Sequence, residues 1–391
     1  MWQTRFQHRL TALEQAGLRR TLEPHAGAQG TMLSIAGERL INFCSNDYLG
    51  LASHPCVIEA LHEGATRFGV GSGAAALLSG HSAAHEALAE ALATATGHES
   101  AVVFSSGYLA NLGIFSALVE REDRVISDEL NHASLIDGVR LSRATNLRYR
   151  HAEIAHVTDI LASNSDTPQW VVTDGLFSMD GDVAPLPALA AAAQAHRAML
   201  VCDDAHGFGV LGNGRGTVAH FGLSAQAVPL LVVTFGKALG TQGAAVVGPA
   251  MLTDLLVQRA RTFVFDTAPS PALMHATRRA LAMALTDEEG VRTRLHANIA
   301  RFKSWRQSHG LPVPRVDSPI QPLLIGDDRH ALEVAAALRR AGFYVRAIRP
   351  PTVPPGTARL RVCLSASHTT AQIDALIDAL TPHLGCFRLA A

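Results

Sequence analysis

The sequence LLVVTFGKALGTQGAAVVG, residues 230–248, contains two short apolar runs separated by a glycine-rich stretch with a single lysine. Runs of this length and composition are typical of buried strands. The chain has 33 lysine and arginine residues, of which only Lys237 and Lys303 are lysines. Because arginine supplies the other positive charges, the amine of Lys237 is a candidate for chemistry. The alternative is a lysine whose stem packs on apolar residues while its amine reaches water.

The same pattern extends in both directions from this segment. Between Ile41 and Val247 short apolar runs alternate with helix-like segments, which favours a mostly parallel, seven-stranded sheet covered on both faces. Ligands of such sheets bind beyond the carboxyl ends of the strands. The apolar runs are 101–106, 123–128, 146–151, 169–174, 198–205, 230–235 and 243–248, and the helix-like segments include 81–96, 107–119, 132–143 and 186–197.

The rest of the chain predicts a second, smaller unit. After Pro269 the pattern is helical to about residue 309, and it then mixes strand-like and helix-like segments. We therefore expect an α/β fold in three parts: an N-terminal helix and arm at 1–40, a large domain at 41–285 and a C-terminal α+β domain at 286–391.

The composition is that of a globular protein, with 48% hydrophobic and 17% charged residues and a formal net charge of −1. This balance gives no reason to expect nucleic acid or a membrane as partner. Five cysteines are scattered without a C-x-x-C pair, which suits a reducing compartment. The N-terminus lacks the apolar segment of a secretory signal. We therefore expect a cytoplasmic protein.

Acidic and imidazole side chains follow the very apolar run that begins at residue 198. Asp203 or Asp204 is expected at the carboxyl edge of the sheet, with His206 close by. A buried carboxylate is costly unless it meets a cation, and a protonated pyridine nitrogen is such a cation. The alternative for an isolated aspartate is a helix cap or a turn.

Three further segments place polar groups at strand ends. FSSGYLANLG, residues 104–113, predicts a strand, a turn with Gly107 and Tyr108, and a helix start that suits a phosphate. His132 begins another helix and is a candidate for stacking on a planar cofactor, the alternative being a helix cap. Ser178 and Thr234 are hydroxyls that suit a phenolate or a phosphate oxygen, and they equally suit helix caps.

Together these groups are the parts that pyridoxal phosphate (PLP) requires. With these parts, the chain resembles the α-oxoamine synthase family of fold-type-I PLP enzymes, which have an aspartate aminotransferase-like fold. The resemblance runs nearly end to end. It covers NFCSNDYLGL, SSGYLANLG, NHASLIDG, DGLFSMDGD, DDAHGFGVLG, VVTFGKALG and AIRPPTVPPGTARLRVCLSASHT.

The resemblance implies a role for each candidate residue. Lys237, His132 and Asp203 would be catalytic: the lysine holds the cofactor aldehyde, the histidine stacks on the ring and the aspartate pairs with the pyridine nitrogen. The other cofactor-binding residues would be Gly107, Tyr108, Ser178, His206 and Thr234, with Thr267 reaching the phosphate of a neighbouring subunit. The substrate-binding residues would be Arg19, Asn46, His132, Thr352 and Arg361, and Arg20 is the alternative to Arg19.

The resemblance also implies an activity. The chain is most similar to members that condense L-alanine with a pimeloyl thioester of coenzyme A or acyl carrier protein, in biotin biosynthesis. The alternative within the family condenses glycine with acetyl-CoA. A homodimer is expected by resemblance. The chain departs from the family pattern at residues 74–77, at Asp174 and at 266–270.

Other classes of protein fit the sequence less well. GFGVLG, residues 207–212, matches a dinucleotide fingerprint but is not followed by a helix-like segment, which disfavours an NAD-dependent dehydrogenase. His81 and His85 have helical spacing without an H-E-x-x-H motif, so we expect no metal. No G-x-S-x-G motif indicates a serine hydrolase. A non-enzymatic relative would tend to lose Lys237.

Overall fold

The structure is a computed structural model, and it describes residues 1–15, 17–163 and 166–388 of the 391-residue chain. Its strands are β1 (His25–Ala26), β2 (Met32–Ile35), β3 (Glu38–Asn42), β4 (Ser100–Phe104), β5 (Arg124–Asp128), β6 (Thr145–Tyr149), β7 (Gln169–Asp174), β8 (Met199–Asp203), β9 (Leu230–Thr234), β10 (Ala244–Gly248), β11 (Ile320–Gly326), β12 (Phe343–Tyr344), β13 (Arg346–Ile348) and β14 (Ala358–Cys363).

Helices connect most of these strands and cover the sheets. They are α1 (Trp2–Gln15), α2 (Pro55–Phe68), α3 (Ala83–Thr96), α4 (Gly107–Leu118), α5 (Ala133–Ser142), α6 (Ile154–Ala162), α7 (Leu186–Ala195), α8 (Thr217–His220), α9 (Ala250–Arg259), α10 (Arg261–Val264), α11 (Pro271–Thr286), α12 (Val291–Ser308), α13 (Asp328–Arg340) and α14 (Thr370–Leu380).

The large sheet contains seven strands in the order β4-β10-β9-β8-β7-β5-β6. Only β10 runs antiparallel to its neighbours, and the other pairings are parallel. Each of the seven apolar runs overlaps one strand of this sheet. The prediction of a mostly parallel, seven-stranded sheet is therefore confirmed.

Two hydrophobic cores cover the two faces of this sheet. On β9, Leu231 and Val233 belong to one core, while Leu230 and Val232 belong to the other. Successive side chains of a strand point to opposite faces, so a strand with helices on both sides must be apolar throughout. The strands of this sheet therefore appear in the sequence as continuous apolar runs.

The sheet brings polar groups to one edge. Asp128, Asp174, Asp203 and Thr234 are the last residues of β5, β7, β8 and β9, which run parallel, and all four are buried. Their side chains therefore start from the same edge of the sheet.

The C-terminal part builds a three-stranded sheet of order β11-β14-β13. It also contributes β12 to a sheet of order β1-β2-β3-β12, in which Phe343 pairs in parallel with Ile41 of the N-terminal segment. The predicted division into three parts, with a boundary between residues 285 and 286, stays a prediction.

Helix α1 has an apolar stripe with no partner among the described residues. Trp2, Phe6 and Leu10 are exposed at a spacing of four residues, and no residue of the helix is buried. None of the described helices combines the length and the hydropathy that crossing a bilayer requires.

Candidate active site

A cavity of about 240 Å³ lies at the carboxyl ends of β7, β8 and β9. The structure brings most of the sequence-predicted site residues together around it. These lining residues are Asn46, Gly107, Tyr108, His132, Ser178, Asp203, His206, Thr234 and Lys237.

Lys237 lies in the turn between β9 and β10, three residues after Thr234. Its Nζ is 3.4 Å from Thr234 Oγ1. The turn is held by backbone hydrogen bonds from Gly240 to Lys237 and from Thr241 to Phe235, each 2.9 Å long. Burial lowers the pKa of Lys237, although Asp203 and Asp174 act in the opposite direction. A lowered pKa provides more of the neutral amine, which is the form that attacks an aldehyde.

Lys303 has a different environment. Its amine forms a 2.8 Å ion pair with Asp317 outside the cavity. The two lysines of the chain therefore separate into one at the cavity and one in a peripheral ion pair.

Asp203 faces the cavity as a buried carboxylate. Its Oδ2 accepts a 2.6 Å hydrogen bond from Asn111 Nδ2, and its Oδ1 accepts a 3.0 Å bond from the backbone N–H of Ala205. Within the described ranges it forms no ion pair with a lysine, arginine or histidine. A buried carboxylate without a cationic partner is costly, so a protonated pyridine nitrogen in the cavity fits this position.

The adjacent acids Asp203 and Asp204 have different surroundings in the structure. Asp204 accepts a 2.6 Å hydrogen bond from the backbone N–H of Thr217 and another from the Thr217 hydroxyl. It does not line the cavity. Burial raises the pKa of Asp204 to about 7. Asp203 is therefore the acid available to a cofactor, and Asp204 is a structural acceptor.

His132 is both a helix cap and a lining residue. Its Nδ1 accepts a 3.3 Å hydrogen bond from the backbone N–H of Ser134 in the first turn of α5, as the capping alternative predicted. Its own backbone N–H donates to Asp174 Oδ2 at 2.8 Å. The cap fixes the ring at the cavity wall, so the two interpretations are compatible.

Asp174 lies beside Asp203 at the edge of the sheet. Burial and the charge of Asp203 raise the pKa of Asp174 well above its usual range. The protonated form of Asp174 is therefore favoured. Asp203 is then the acid of the pair that is placed to meet a cationic ring.

The start of α4 forms a cradle for an anion. Ser106 caps this helix by accepting a 3.2 Å hydrogen bond from the backbone N–H of Leu109. A Cβ atom on Gly107 would lie 2.6 Å from Thr234 Cγ2, so only glycine allows this approach of helix and strand. The helix N-terminus and the nearby hydroxyls of Ser106 and Thr234 suit the phosphate of PLP.

Arg361, on β14 of the C-terminal three-stranded sheet, lies behind the cavity wall and contacts two of the lining residues. Its Nη1 and Nη2 donate to Asn46 Oδ1 at 3.1 and 3.2 Å, and its Nε donates to the carbonyl of Ser178 at 2.6 Å. Its side chain is buried, and a guanidinium binds a carboxylate in a bidentate manner. The position suits the carboxylate of an amino acid.

His206 lies at the same end of the cavity as Arg361. Burial, with the charges of Lys237 and Arg361, lowers the pKa of His206 well below its usual range. Its Nδ1 is 2.7 Å from the hydroxyl of Tyr48. The imidazole is therefore neutral and acts as a hydrogen-bonding group.

Four predicted site residues are not among the lining residues. Arg361 lies directly behind the wall, and the other three are further away. Thr267 lines a separate cavity of about 540 Å³. Arg19 is exposed and forms a 2.8 Å ion pair with Glu14. Thr352 is also exposed, and its hydroxyl accepts a 3.2 Å hydrogen bond from Arg20, the alternative to Arg19. Their roles in binding stay predictions.

Several lining or supporting residues were missed from the sequence. Asp174 carried a usable signal, because it ends an apolar strand just as Asp203 does. Asn111 carried another, because it is an isolated buried amide on the otherwise apolar helix α4. The residues missed at the wall or behind it are Tyr48, Ser106, Asn111, Ser134, Asp174, Ala205, Gly236, Gln242 and Gly243.

The rival classes of site find little support in the geometry. Residues 207–212 form turns after β8, and the next helix, α8, is only four residues long, so the dinucleotide fingerprint lacks its helix. His81 is bonded to Glu86 at 3.0 Å, and His85 Nε2 lies 2.9 Å from the carbonyl of Pro269. Both imidazoles are thus engaged in local hydrogen bonds.

One group of metal-type ligands is present among the described residues, comprising His54, Cys56 and Glu289. His54 Nδ1 accepts a hydrogen bond from the backbone N–H of Cys56, so its proton lies on Nε2, which donates to Glu289 at 3.2 Å. A histidine binds a metal through a nitrogen lone pair, and the lone pair on Nδ1 of His54 is already used by the backbone N–H of Cys56. The arrangement is that of a hydrogen-bonded cap.

Comparison with known proteins identifies the family of this chain. Residues 38–380 match the family described as aminotransferase class I and II, and the chain belongs to this family.

The most similar curated relatives include 8-amino-7-oxononanoate synthase of Methylococcus capsulatus, 55% identical over 90% of this chain and 91% of the relative. The same enzyme of Thioalkalivibrio sulfidiphilus is 50% identical over 95% of both chains.

Solved structures of two related enzymes have a similar fold. A serine palmitoyltransferase of Sphingomonas wittichii is 29% identical, with a TM-score of 0.90 and 98% of each chain covered. The 8-amino-7-oxononanoate synthase of Francisella tularensis is 30% identical, with a TM-score of 0.77 over 88% of this chain and 98% of that one. The resemblance to α-oxoamine synthases and the predicted fold-type-I architecture are confirmed.

Proposed function

We propose that the chain is a PLP-dependent acyltransferase that condenses L-alanine with a pimeloyl thioester, with loss of carbon dioxide, to give 8-amino-7-oxononanoate for biotin synthesis. The observation that carries the proposal is identity of about 50% to 8-amino-7-oxononanoate synthases over more than nine tenths of both chains. PLP as the cofactor is confirmed by the family and by similar structures that hold it.

The site supplies each group that this reaction requires. Bound PLP serves as the sink for the electrons of the alanine Cα–H bond. Lys237, with its lowered pKa, provides the amine for the aldehyde and then moves the Cα proton. Asp203 keeps the pyridine nitrogen protonated by its negative charge, and the ring of His132 lies at the cavity wall. Arg361 and Asn46 bind the carboxylate and so fix the orientation of Cα.

The reaction forms one carbon–carbon bond and breaks a carbon–sulfur bond and a carbon–carbon bond. The alanine Cα gives up its proton and forms a bond to the thioester carbonyl carbon, and the thiol of the carrier leaves. The alanine carboxylate then leaves as carbon dioxide, and a proton returns to Cα. The protein contributes orientation and fixed charge at each step.

Two substrate details belong to the proposal. The acyl carrier is coenzyme A or acyl carrier protein. A second candidate, condensation of glycine or serine with another acyl thioester, is favoured by the higher TM-score to serine palmitoyltransferases than to the Francisella enzyme. The sequence identities favour alanine.

We also propose a homodimer in the cytoplasm. The position of Thr267 in a separate cavity supports a role for it towards a second subunit, and Leu77, Leu78 and Phe265 nearby are exposed. The five cysteines are free, which agrees with a reducing compartment. Sedimentation equilibrium of the purified chain tests the dimer.

The decisive experiment is a substrate panel with product identified by mass. The PLP-loaded enzyme receives L-alanine, glycine or L-serine with thioesters of several chain lengths on both carriers. The proposal expects the alanine and pimeloyl pair to give the highest kcat/KM. A preference for glycine or serine would assign the chain to a sister activity.

The lysine assignment has its own test. Borohydride reduction of the holoenzyme followed by peptide mapping is expected to label Lys237. Because Lys303 is the only other lysine, Lys303→Arg is a matched control that should keep the label, whereas Lys237→Arg should lose it. A label that survives in Lys237→Arg contradicts the assignment.

A further inference from the structure

A third cavity, of about 620 Å³, lies between the segment 180–185 and the segment 311–324. Its wall differs from that of the active site. It is mostly apolar, with Leu311, Leu323 and Phe387 nearly fully buried behind it, and it contains four arginines: Arg306, Arg315, Arg359 and Arg388.

Arg306 is the unusual member of this wall. Its side chain is 2% exposed, and it forms no ion pair within the part of the chain that the structure describes. Its Nη1 donates to Gln321 Oε1 at 2.8 Å, while its Nε has no hydrogen-bond partner. An arginine keeps its charge under all ordinary conditions, so a buried one without an anion is costly.

The acids of this cavity do not neutralise Arg306. Asp180 is paired with Arg359, and Asp182 is paired with His151 at 2.9 Å. Arg388 uses its Nη2 on the carbonyl of Gly356 at 2.9 Å. The cavity therefore keeps an excess of positive charge, with Arg306 at its wall and exposed Arg315 at its margin.

We propose that this cavity binds an organic monocarboxylate with a saturated chain. The carboxylate neutralises Arg306 and Arg315, and the chain lies on the apolar wall formed by Val183, Leu311 and Phe387. A small inorganic anion neutralises the arginines but leaves the apolar wall uncovered. A neutral hydrocarbon chain covers the wall but leaves the arginines without an anion.

The cavity is connected to the active site through one segment. Asp180, which is in its wall, lies two residues from Ser178, whose carbonyl accepts the hydrogen bond from Arg361. A ligand that contacts the Asp180–Arg359 pair thus lies against the segment that positions the active-site arginine.

Calorimetric titration of the PLP-loaded full-length protein with octanoate tests the site, with octanamide and acetate as the neutral and the short probes. Octanoate is expected to bind at least tenfold more tightly than either. Arg306→Gln is expected to weaken octanoate binding at least tenfold. Arg315 is exposed, so the Arg315→Gln variant should fold normally. We expect this substitution to weaken octanoate binding severalfold.

The matched control is Arg121→Gln, an exposed arginine far from the cavity in sequence, which should bind octanoate as the wild type does. Octanoate affinity that is unchanged in both Arg306→Gln and Arg315→Gln overturns the proposal, because the ligand then lies elsewhere in the protein. Equal binding of octanamide also overturns it.

Discussion

The hydroxyl of Tyr48 lies 2.7 Å from Nδ1 of His206 and 3.5 Å from Nη2 of Arg361. A guanidinium has only donors, so the Tyr48 oxygen accepts from Arg361, and its own proton has two acceptors within reach: His206 Nδ1 and, at 3.2 Å, Asn46 Oδ1. The shorter contact favours His206, and a low pKa favours its neutral form, so Nδ1 accepts that proton and the N–H of the imidazole lies on Nε2. Tyr48 thus links Arg361 to the tautomer of a histidine at the cavity.

Tyr48→Phe tests this link. Loss of the hydroxyl allows His206 to take the other tautomer, and we expect kcat/KM to fall about tenfold, which corresponds to about 1.4 kcal/mol. The pH dependence of the absorbance of bound PLP should shift as well. Tyr344→Phe, which removes a hydroxyl outside the cavity, is the control. An unshifted absorbance titration in Tyr48→Phe contradicts the link.

The adjacent acids Asp203 and Asp204 are predicted to respond differently to amidation. Asp203→Asn removes the charge at the cavity, so we expect at least a hundredfold loss of kcat and an altered PLP spectrum, with little change in unfolding free energy. Asp204→Asn weakens the acceptor for Thr217, and we expect it to cost about 1–3 kcal/mol of stability while the PLP spectrum is kept.

Urea unfolding and absorbance spectra of the two variants provide the comparison. The assignment of roles is wrong if Asp204→Asn changes the spectrum and Asp203→Asn does not.

Gly107→Ala is expected to impair PLP binding. The added Cβ would lie 2.6 Å from Thr234 Cγ2, so the start of α4 must move away from β9 and take the anion cradle with it. We expect at least a tenfold weaker affinity for PLP, measured by fluorescence titration of the apoenzyme. Gly30→Ala is the matched control, because a Cβ there meets no atom within 4 Å. Equal affinities in both variants would refute the cradle.

His151 predicts a pH-dependent contribution to stability. Burial opposes its charge, but hydrogen bonds to Asp128 and Asp182 raise the pKa of His151 to about 10. The folded-state pKa is thus above the unfolded value of about 6.5, so the contribution is complete below pH 6.5 and is lost as the pH rises through 10.

The measurement compares wild type with His151→Gln by urea unfolding at several pH values. The variant is expected to be less stable by roughly 2 kcal/mol or more at pH 6, and the difference should shrink towards pH 10.5. His62→Gln, at an exposed position on α2, serves as the control with no such trend. A difference that grows with pH would show that the imidazole is not held in its charged form.

The sequence predicted the large sheet well because both of its faces are buried. Such strands are continuous apolar runs, so β9 and β10 could be located with only small errors at their ends. The position of Lys237 followed from the same runs, since a residue just beyond a strand lies at the edge of the sheet.

Other parts of the site depend on contacts that local patterns do not encode. Asn46 and Arg361 meet across 315 positions of sequence, and Tyr48 meets His206 across 158. Asp203 and Asp204 differ in the direction of their side chains at the end of β8. The sequence does not specify which of the two directions leads into the cavity. Asp174 was noticed only as a departure from the family, although its place at a strand end is that of Asp203.

Strand β3 forms near the beginning of the chain, yet its partner β12 comes from the last quarter. During translation one edge of β3 therefore stays unpaired until most of the polypeptide has left the ribosome. Unpaired strand edges can associate with other chains. Arg361, which we propose to bind the substrate carboxylate, is also synthesised long after Lys237 and Asp203. We therefore expect catalytic competence only once synthesis has passed β14.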